Sequence, residues 1–280
     1  MTSRIPDRST PEQPLLEEFV NQLRTRLEDP ATDRDLLCRD TLVSIYFGDH
    51  RTFQELVADP SASLASRSLA ASMDPRNITL EPEYYGEMDR ERYYRVKPLL
   101  WLWQMFDHSA LGHNCHLAFQ VRYLLAQHIF QRIGSDVRFF RGVEFSFGYN
   151  MSVGSHVTFH RFVLVDDRGP VQVGDHVSLS DWVNVYTHSH DVEEIQDVTV
   201  SPTVLEEGVR VTYHSTVLAG VRMGRHSMLG SLGVATRDVP PYHVNVGIPA
   251  RPVKIKDQAR RDPDYPGPYE PGGSSGRSRK

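Results

Sequence analysis

Cysteine is scarce in this 280-residue chain. Cys38 and Cys115 are its only two, too few for a disulfide framework and in keeping with a reducing compartment. An excess of positive charge is missing as well. Lys and Arg total 31 against 36 Asp and Glu, a net charge of −5, which argues against nucleic acid as a partner. Long apolar runs are absent. The most apolar short stretch, PLLWLWQMF (98–106), is too short to cross a bilayer. The opening MTSRIPDRSTPEQP lacks the apolar core of a secretory signal. A cytoplasmic protein is the expectation, and its length suits one large domain or two modest ones.

What the chain does have is a rhythm. From residue 133 it falls into sixes. The first positions are Ile133, Phe139 and Phe145, then Val153, Phe159 and Val165 after a two-residue excess, then Val173, Leu179 and Val185 after another. The rhythm stops and resumes at Leu205, Val211, Val217, Met223, Leu229 and Ala235. All of these positions are apolar. The fourth place further on is usually small or Val, as at Val157, Val163, Val177, Val183, Val209, Ser215, Val221 and Ser227. A glycine often follows the first position, at 134, 154, 174, 224 and 230. Such a pattern describes a short strand and a turn, repeated. Three hexads make one triangular coil, and the coils stack through backbone hydrogen bonds into a solenoid with a continuous core. A sandwich of alternating strands would need neither the small fourth residue nor a phase that survives a long interruption.

Within this rhythm, residues 133–256 resemble the hexapeptide-repeat acyltransferases, in particular the branch of maltose, galactoside and nodulation O-acetyltransferases. The resemblance is carried by FVLVDD (162–167), VQVGDHVSLSDWVNVYTHSHD (171–191), SPTVLEEGVRV (201–211) and VATRDVPPYHVNVGIPARPVK (234–254). It implies a mainly β fold, a left-handed parallel β-helix of about five coils, here preceded by an α-helical region. The left hand comes from the resemblance, since the usual crossover rule points the other way. It also implies transfer of an acetyl or other acyl group from acetyl-coenzyme A to a hydroxyl of a sugar or glycoside, in a homotrimer, with no metal required.

The residues that would carry this chemistry sit at the interruption. In VYTHSHDV (185–192) the strand alternation puts His188 and His190 on one side. The segment 191–204 then leaves the coil, and a loop thrown out of a rigid scaffold is a common place for function. Matching by resemblance assigns the catalytic base to His190, with His188 as a contributor. A neutral imidazole can take a proton from an attacking hydroxyl near pH 7. Asp166 and Asp167, one coil earlier, are the candidates for binding acceptor hydroxyls, with Asp167 preferred. For the coenzyme the resemblance implies Tyr213, Ala219, Ser231, Thr236, Arg237, Arg251 and Lys254. The three cations among them suit its phosphates. Two departures stand out. Arg210 and Thr212 replace the family's usual tryptophan and glycine, and TFHRF (158–162) lacks an asparagine common in the acceptor site.

Two other readings are compatible with the sequence. One is a zinc-dependent carbonic anhydrase of the γ type, for which His156, His160, His176, His188, His190 and His214 are spare histidines. The other is an inactive solenoid serving as a scaffold. Outside the repeat, residues 1–13 and 257–280 read as disordered. Residues 14–132 read as a helical extension that is loose near 58–97. In it Leu16, Phe19, Val20, Leu23 and Leu27 share one helical face, as do Leu117, Val121, Leu124, Leu125 and Ile129.

Overall fold

The computed structural model describes residues 13–195, 197–265 and 267. Residues 1–12 and most of the tail, read as disordered from the sequence, lie outside the described residues.

The hexads form three parallel stacks of very short strands. The first stack holds Arg132–Ile133, Met151–Val153, Val171–Val173, Thr203–Leu205 and Arg222–Met223. The second begins at Arg138–Phe139 and ends with His243–Val246, which pairs antiparallel with Arg251–Ile255. The third runs from Glu144–Phe145 to Val234–Ala235. Five coils are complete, and a partial sixth is made by a bridge from Val239 to Met223 and by the strand His243–Val246. The coil-to-coil register is constant: Phe139 pairs with Phe159, and Phe159 with Leu179. Each first-position side chain therefore lies directly over its counterpart. All are buried except Ile133, which is partly buried at the open end. Val157, Val183, Ser215 and Ser227, in the fourth places, are buried at the turns. The glycines after the first positions have a steric cause. A Cβ on Gly174 would stand 2.7 Å from the backbone nitrogen of Glu207 in the next coil.

An array of this kind exposes apolar edges at its ends. The lower end is covered by the helical extension: α1 (Gln13–Glu28), α2 (Arg34–Phe47), α3 (Phe53–Ala58), α4 (Leu64–Ala71), α5 (Arg90–His108), α6 (Ala110–His113) and α7 (Cys115–Ile129). Their starts follow from local caps: Asp33 for α2, a Thr52–Glu55 capping box for α3, Ser63 for α4, Asp89 for α5 and Asn114 for α7. On α5, Trp103 packs edge-on to Phe139 and Phe145 and donates to the carbonyl of Val143 at 3.0 Å. Arg122 of α7 is buried. It pairs with Asp107 at 2.6 Å and donates to the carbonyls of Phe139 and Gly112. Asp107 also accepts from the amide of Gly142 at 2.7 Å. Burial raises the Asp107 carboxyl's affinity for a proton, and Arg122 opposes this only in part.

Three expectations are corrected. The segment 58–97, read as loose, carries α4, two short 3-10 turns and the start of α5, and Met73 within it is completely buried. Ala70, Met73, Leu80, Tyr93 and Val96 of this segment join the core, and Ser63 caps α4. The excursion 191–204 is a β-hairpin whose strands, His188–His190 and Val198–Val200, pair antiparallel. The chain rejoins the coil at Thr203. The first part of the tail is ordered as well. A 3-10 turn at Asp257–Arg261 buries Ala259, and Asp262 pairs with Arg225 at 2.8 Å.

Candidate functional site

The two histidines stand at the base of the hairpin, at the corner where the third stack passes to the first. Their rings are edge to face with centroids 5.2 Å apart, as strand alternation requires. Beneath them the corner is built from the two-residue excess in VDDRGP. Thr187, fully buried, donates to the carbonyl of Asp166 at 2.7 Å and accepts from the amide of Gly169 at 2.7 Å. These bonds set the position from which His188 and His190 project.

The two imidazoles have different partners. His188 Nδ1 bonds the Asp166 carboxylate, which also accepts from Ser146 Oγ at 3.2 Å. His190 Nδ1 lies 2.8 Å from the carbonyl oxygen of Ile195 on the far side of the hairpin. A carbonyl can only accept, so this nitrogen carries the proton and Nε2 is left as a lone-pair acceptor. His190 is exposed, while the His188 side chain is largely covered.

The two aspartates also divide. Asp167 is completely buried, and its carboxylate accepts from the amides of Phe147 at 2.7 Å and Asn150 at 3.2 Å. Burial pushes its pKa up to about 6 in spite of those amides. The geometry separates the two aspartates by what they touch. Asp167 braces the corner from inside, and Asp166 is the one that meets a histidine. The neighbouring Arg168 pairs with Glu87 of the helical extension at 2.6 Å and lies 4.3 Å from the centre of the Tyr85 ring.

The residues named for the coenzyme fall on separate parts of one chain. Ala219, Thr236 and Arg237 lie at the same corner as the histidines, in higher coils, and Thr236 and Arg237 are exposed. Tyr213 and Ser231 lie at another corner, between the second and third stacks, both exposed. Arg251 and Lys254 are exposed on the closing strand. A single subunit brings the first group near the histidines and leaves the second apart.

Sequence reasoning missed Trp182. It stands at that second corner, 45% exposed, stacked between Phe162 at 4.3 Å and His214 at 5.9 Å. Phe162, Trp182, His214 and Leu232 have φ of 59°, 64°, 55° and 61°. All occupy the third place after a first position, so aligning the hexads would have revealed the ladder. The γ-carbonic-anhydrase histidines disperse: His156 and His176 stack at the third corner, away from His188 and His190. Among the described residues, no three His, Cys, Asp or Glu side chains converge as a metal site.

No family model matches the chain. By sequence it is 27% identical to the galactoside O-acetyltransferase of Escherichia coli strain K12 over 180 residues, covering 62% of this chain and 83% of the relative. By structure it resembles a maltose O-acetyltransferase from Clostridium difficile 630 with TM-score 0.53 and 23% identity, covering 61% of this chain and 91% of that one. It also resembles a hexapeptide-repeat acetyltransferase from Vibrio cholerae, solved with acetyl-coenzyme A. That match has TM-score 0.54 and 22% identity, and covers 65% and 99% of the two chains. These relatives are named as acetyltransferases, the class that the motifs resemble.

Proposed function

We propose that this protein is a coenzyme A-dependent O-acetyltransferase that acetylates a hydroxyl of a sugar or glycoside. The observation that carries the reading is the bonding of His190. With Nδ1–H tied to the Ile195 carbonyl, its Nε2 is the acceptor for the hydroxyl proton. As that proton leaves, the hydroxyl oxygen attacks the thioester carbonyl. The tetrahedral species collapses with loss of the thiolate, which takes the proton back from His190. General-base help of this kind contributes about 10²–10⁴-fold. The rest comes from holding acceptor and thioester together. In this reading Asp166 orients His188, which contacts the acceptor, and Arg237, Arg251 and Lys254 face the coenzyme's phosphates.

The division of the coenzyme residues between two corners supports assembly as a homotrimer. One subunit would supply His188, His190, Ala219, Thr236 and Arg237, and its neighbour Tyr213 and Ser231. The relatives' named activities and the acetyl-coenzyme A in one of their structures support the same reaction class.

The test is thiol release from acetyl-coenzyme A with a panel of sugars and glycosides, for wild type and His190→Ala. Acceptor-dependent release that falls at least ~100-fold in the variant is expected. Equal release by both proteins would remove His190 from the mechanism. Failure to bind coenzyme A at all would favour the inactive scaffold.

A further inference from the structure

Two apolar features stand open on the solenoid surface. The first is the tip of the hairpin that leaves the coil after His190. There Val192 is 97% exposed and Ile195 69%. The second is the corner column of Phe162, Trp182, His214 and Leu232, of which Trp182 and Leu232 are exposed. The rings of the column are stacked along the solenoid, so they offer their edges to a neighbour. Scattered exposed apolar residues are ordinary, whereas clusters of them mark interaction surfaces. The two features also differ in charge. The hairpin from His188 to Val200 carries Asp191, Glu193, Glu194 and Asp197 and no lysine or arginine. At the corner of the column stand Arg141 and Arg161, and the Arg161 side chain is 62% exposed even while paired with Asp181.

Both features belong to one level of the solenoid. Trp182 precedes the strand Asn184–Val185 and His188–His190 follows it, so they lie at the two ends of the same third-stack strand. A rotation axis parallel to the solenoid preserves height. In a closed cyclic assembly about such an axis, a feature therefore meets only features of its own level. Three chains with their third stacks turned toward the axis bring the Trp182 corner of each against the histidine corner of the next. We infer that Trp182 is a positioning residue in trans: its column receives Val192 and Ile195 of a second copy of this chain, and Arg141 and Arg161 face that hairpin's carboxylates. The consequence for the reaction runs through one atom. The Ile195 carbonyl is what holds Nδ1–H of His190. A hairpin tip with few contacts opens locally at little cost. Packed against the column, it keeps Nε2 of His190 in place as the proton acceptor. The inference rests on the proposed reaction and homotrimer, and adds a residue that acts on the base without touching substrate.

Sedimentation velocity over a concentration series reads the contact without any chemistry. Trp182→Ala on one side, and a Val192→Ser, Ile195→Ser double variant on the other, should each raise the concentration needed for half-assembly at least ~10-fold. The double variant keeps the Ile195 carbonyl, which belongs to the backbone. Combining all three substitutions should add little to either set, because both remove the same contact. Trp182→Phe retains a ring and should stay within about threefold of wild type. Positioning is read by amide hydrogen exchange of residues 188–200. Exchange there should quicken at least ~10-fold in Trp182→Ala and not in Trp182→Phe. The kcat for thiol release should follow the same order, with KM for acetyl-coenzyme A little changed. A monomeric wild type, or assembly equally tight in Trp182→Ala and in the hairpin variant, would overturn the contact. Hairpin exchange unchanged in Trp182→Ala would overturn the positioning role. Sedimentation and exchange as expected, with no thiol released by wild type, would support the contact and count against the transferase reading alone.

Discussion

At the scale of single residues, the site depends on which atom of each ionisable group is engaged. His190→Ala is expected to lower kcat with little change in KM for acetyl-coenzyme A, because the imidazole acts on the proton and not on the donor. Asp166→Asn should cost less, since it loosens His188 and leaves His190 tied to Ile195. Initial rates at saturating donor separate the two. Asp167 allows a prediction about stability. Its folded pKa of about 6 lies above the ordinary carboxyl value near ~3.9. Between these values the folded state holds a proton that the unfolded chain has released, so this group's contribution to stability declines as pH rises from about 4 to about 6. Urea unfolding of wild type and Asp167→Asn across this range should show wild type losing on the order of 2–3 kcal/mol relative to the variant. Parallel curves would mean that Asp167 is not the group that titrates.

At the scale of elements, the stability of the array comes from stacking and end covering. The turn glycines let one coil approach the next. Gly174→Ala forces a Cβ toward the backbone of Glu207 and is expected to destabilise by about 1–3 kcal/mol, read as a lowered urea midpoint. The joint between helices and solenoid hangs on the buried Arg122–Asp107 pair. Arg122→Ala leaves the Asp107 carboxylate buried without its cation, at a cost of about 3–5 kcal/mol. If thermal unfolding of that variant matched wild type, α7 would not be coupled to the first coil as the geometry requires.

At the scale of the whole molecule, the two-corner distribution predicts a shared site. Sedimentation should give three times the 31.9 kDa chain mass. Mixing subunits gives a sharper readout. His190→Ala and a Tyr213→Glu, Ser231→Glu double variant, each inactive alone, should recover part of the activity when unfolded and refolded together, because some mixed corners then carry both sets of native residues. Additive inactivity in the mixture would confine the site to one chain.

The solenoid was legible because its information is local and periodic. Each hexad repeats the same demand for an apolar first residue and a small fourth one, and even the corner ladder of Phe162, Trp182 and His214 follows from position within the repeat. His188 and His190 were legible as a pair for the same reason, since alternation along a strand decides which side chains share a side. The sequence by itself therefore determined the coil, its phase and the place where it is interrupted. The helical extension has no such period, so nothing local in segment 58–97 shows that Ala70, Met73 and Tyr93 fill a shared core. Only tertiary structure decided that Asp167 turns inward while Asp166 meets His188. These adjacent carboxylates look alike in one dimension, and a corner's backbone amides choose between them. Likewise, only the fold brings Glu87 to Arg168 and Ser146 to Asp166, because contacts between residues 20 to 81 apart along the chain depend on how coils and helices stack, which no local pattern encodes.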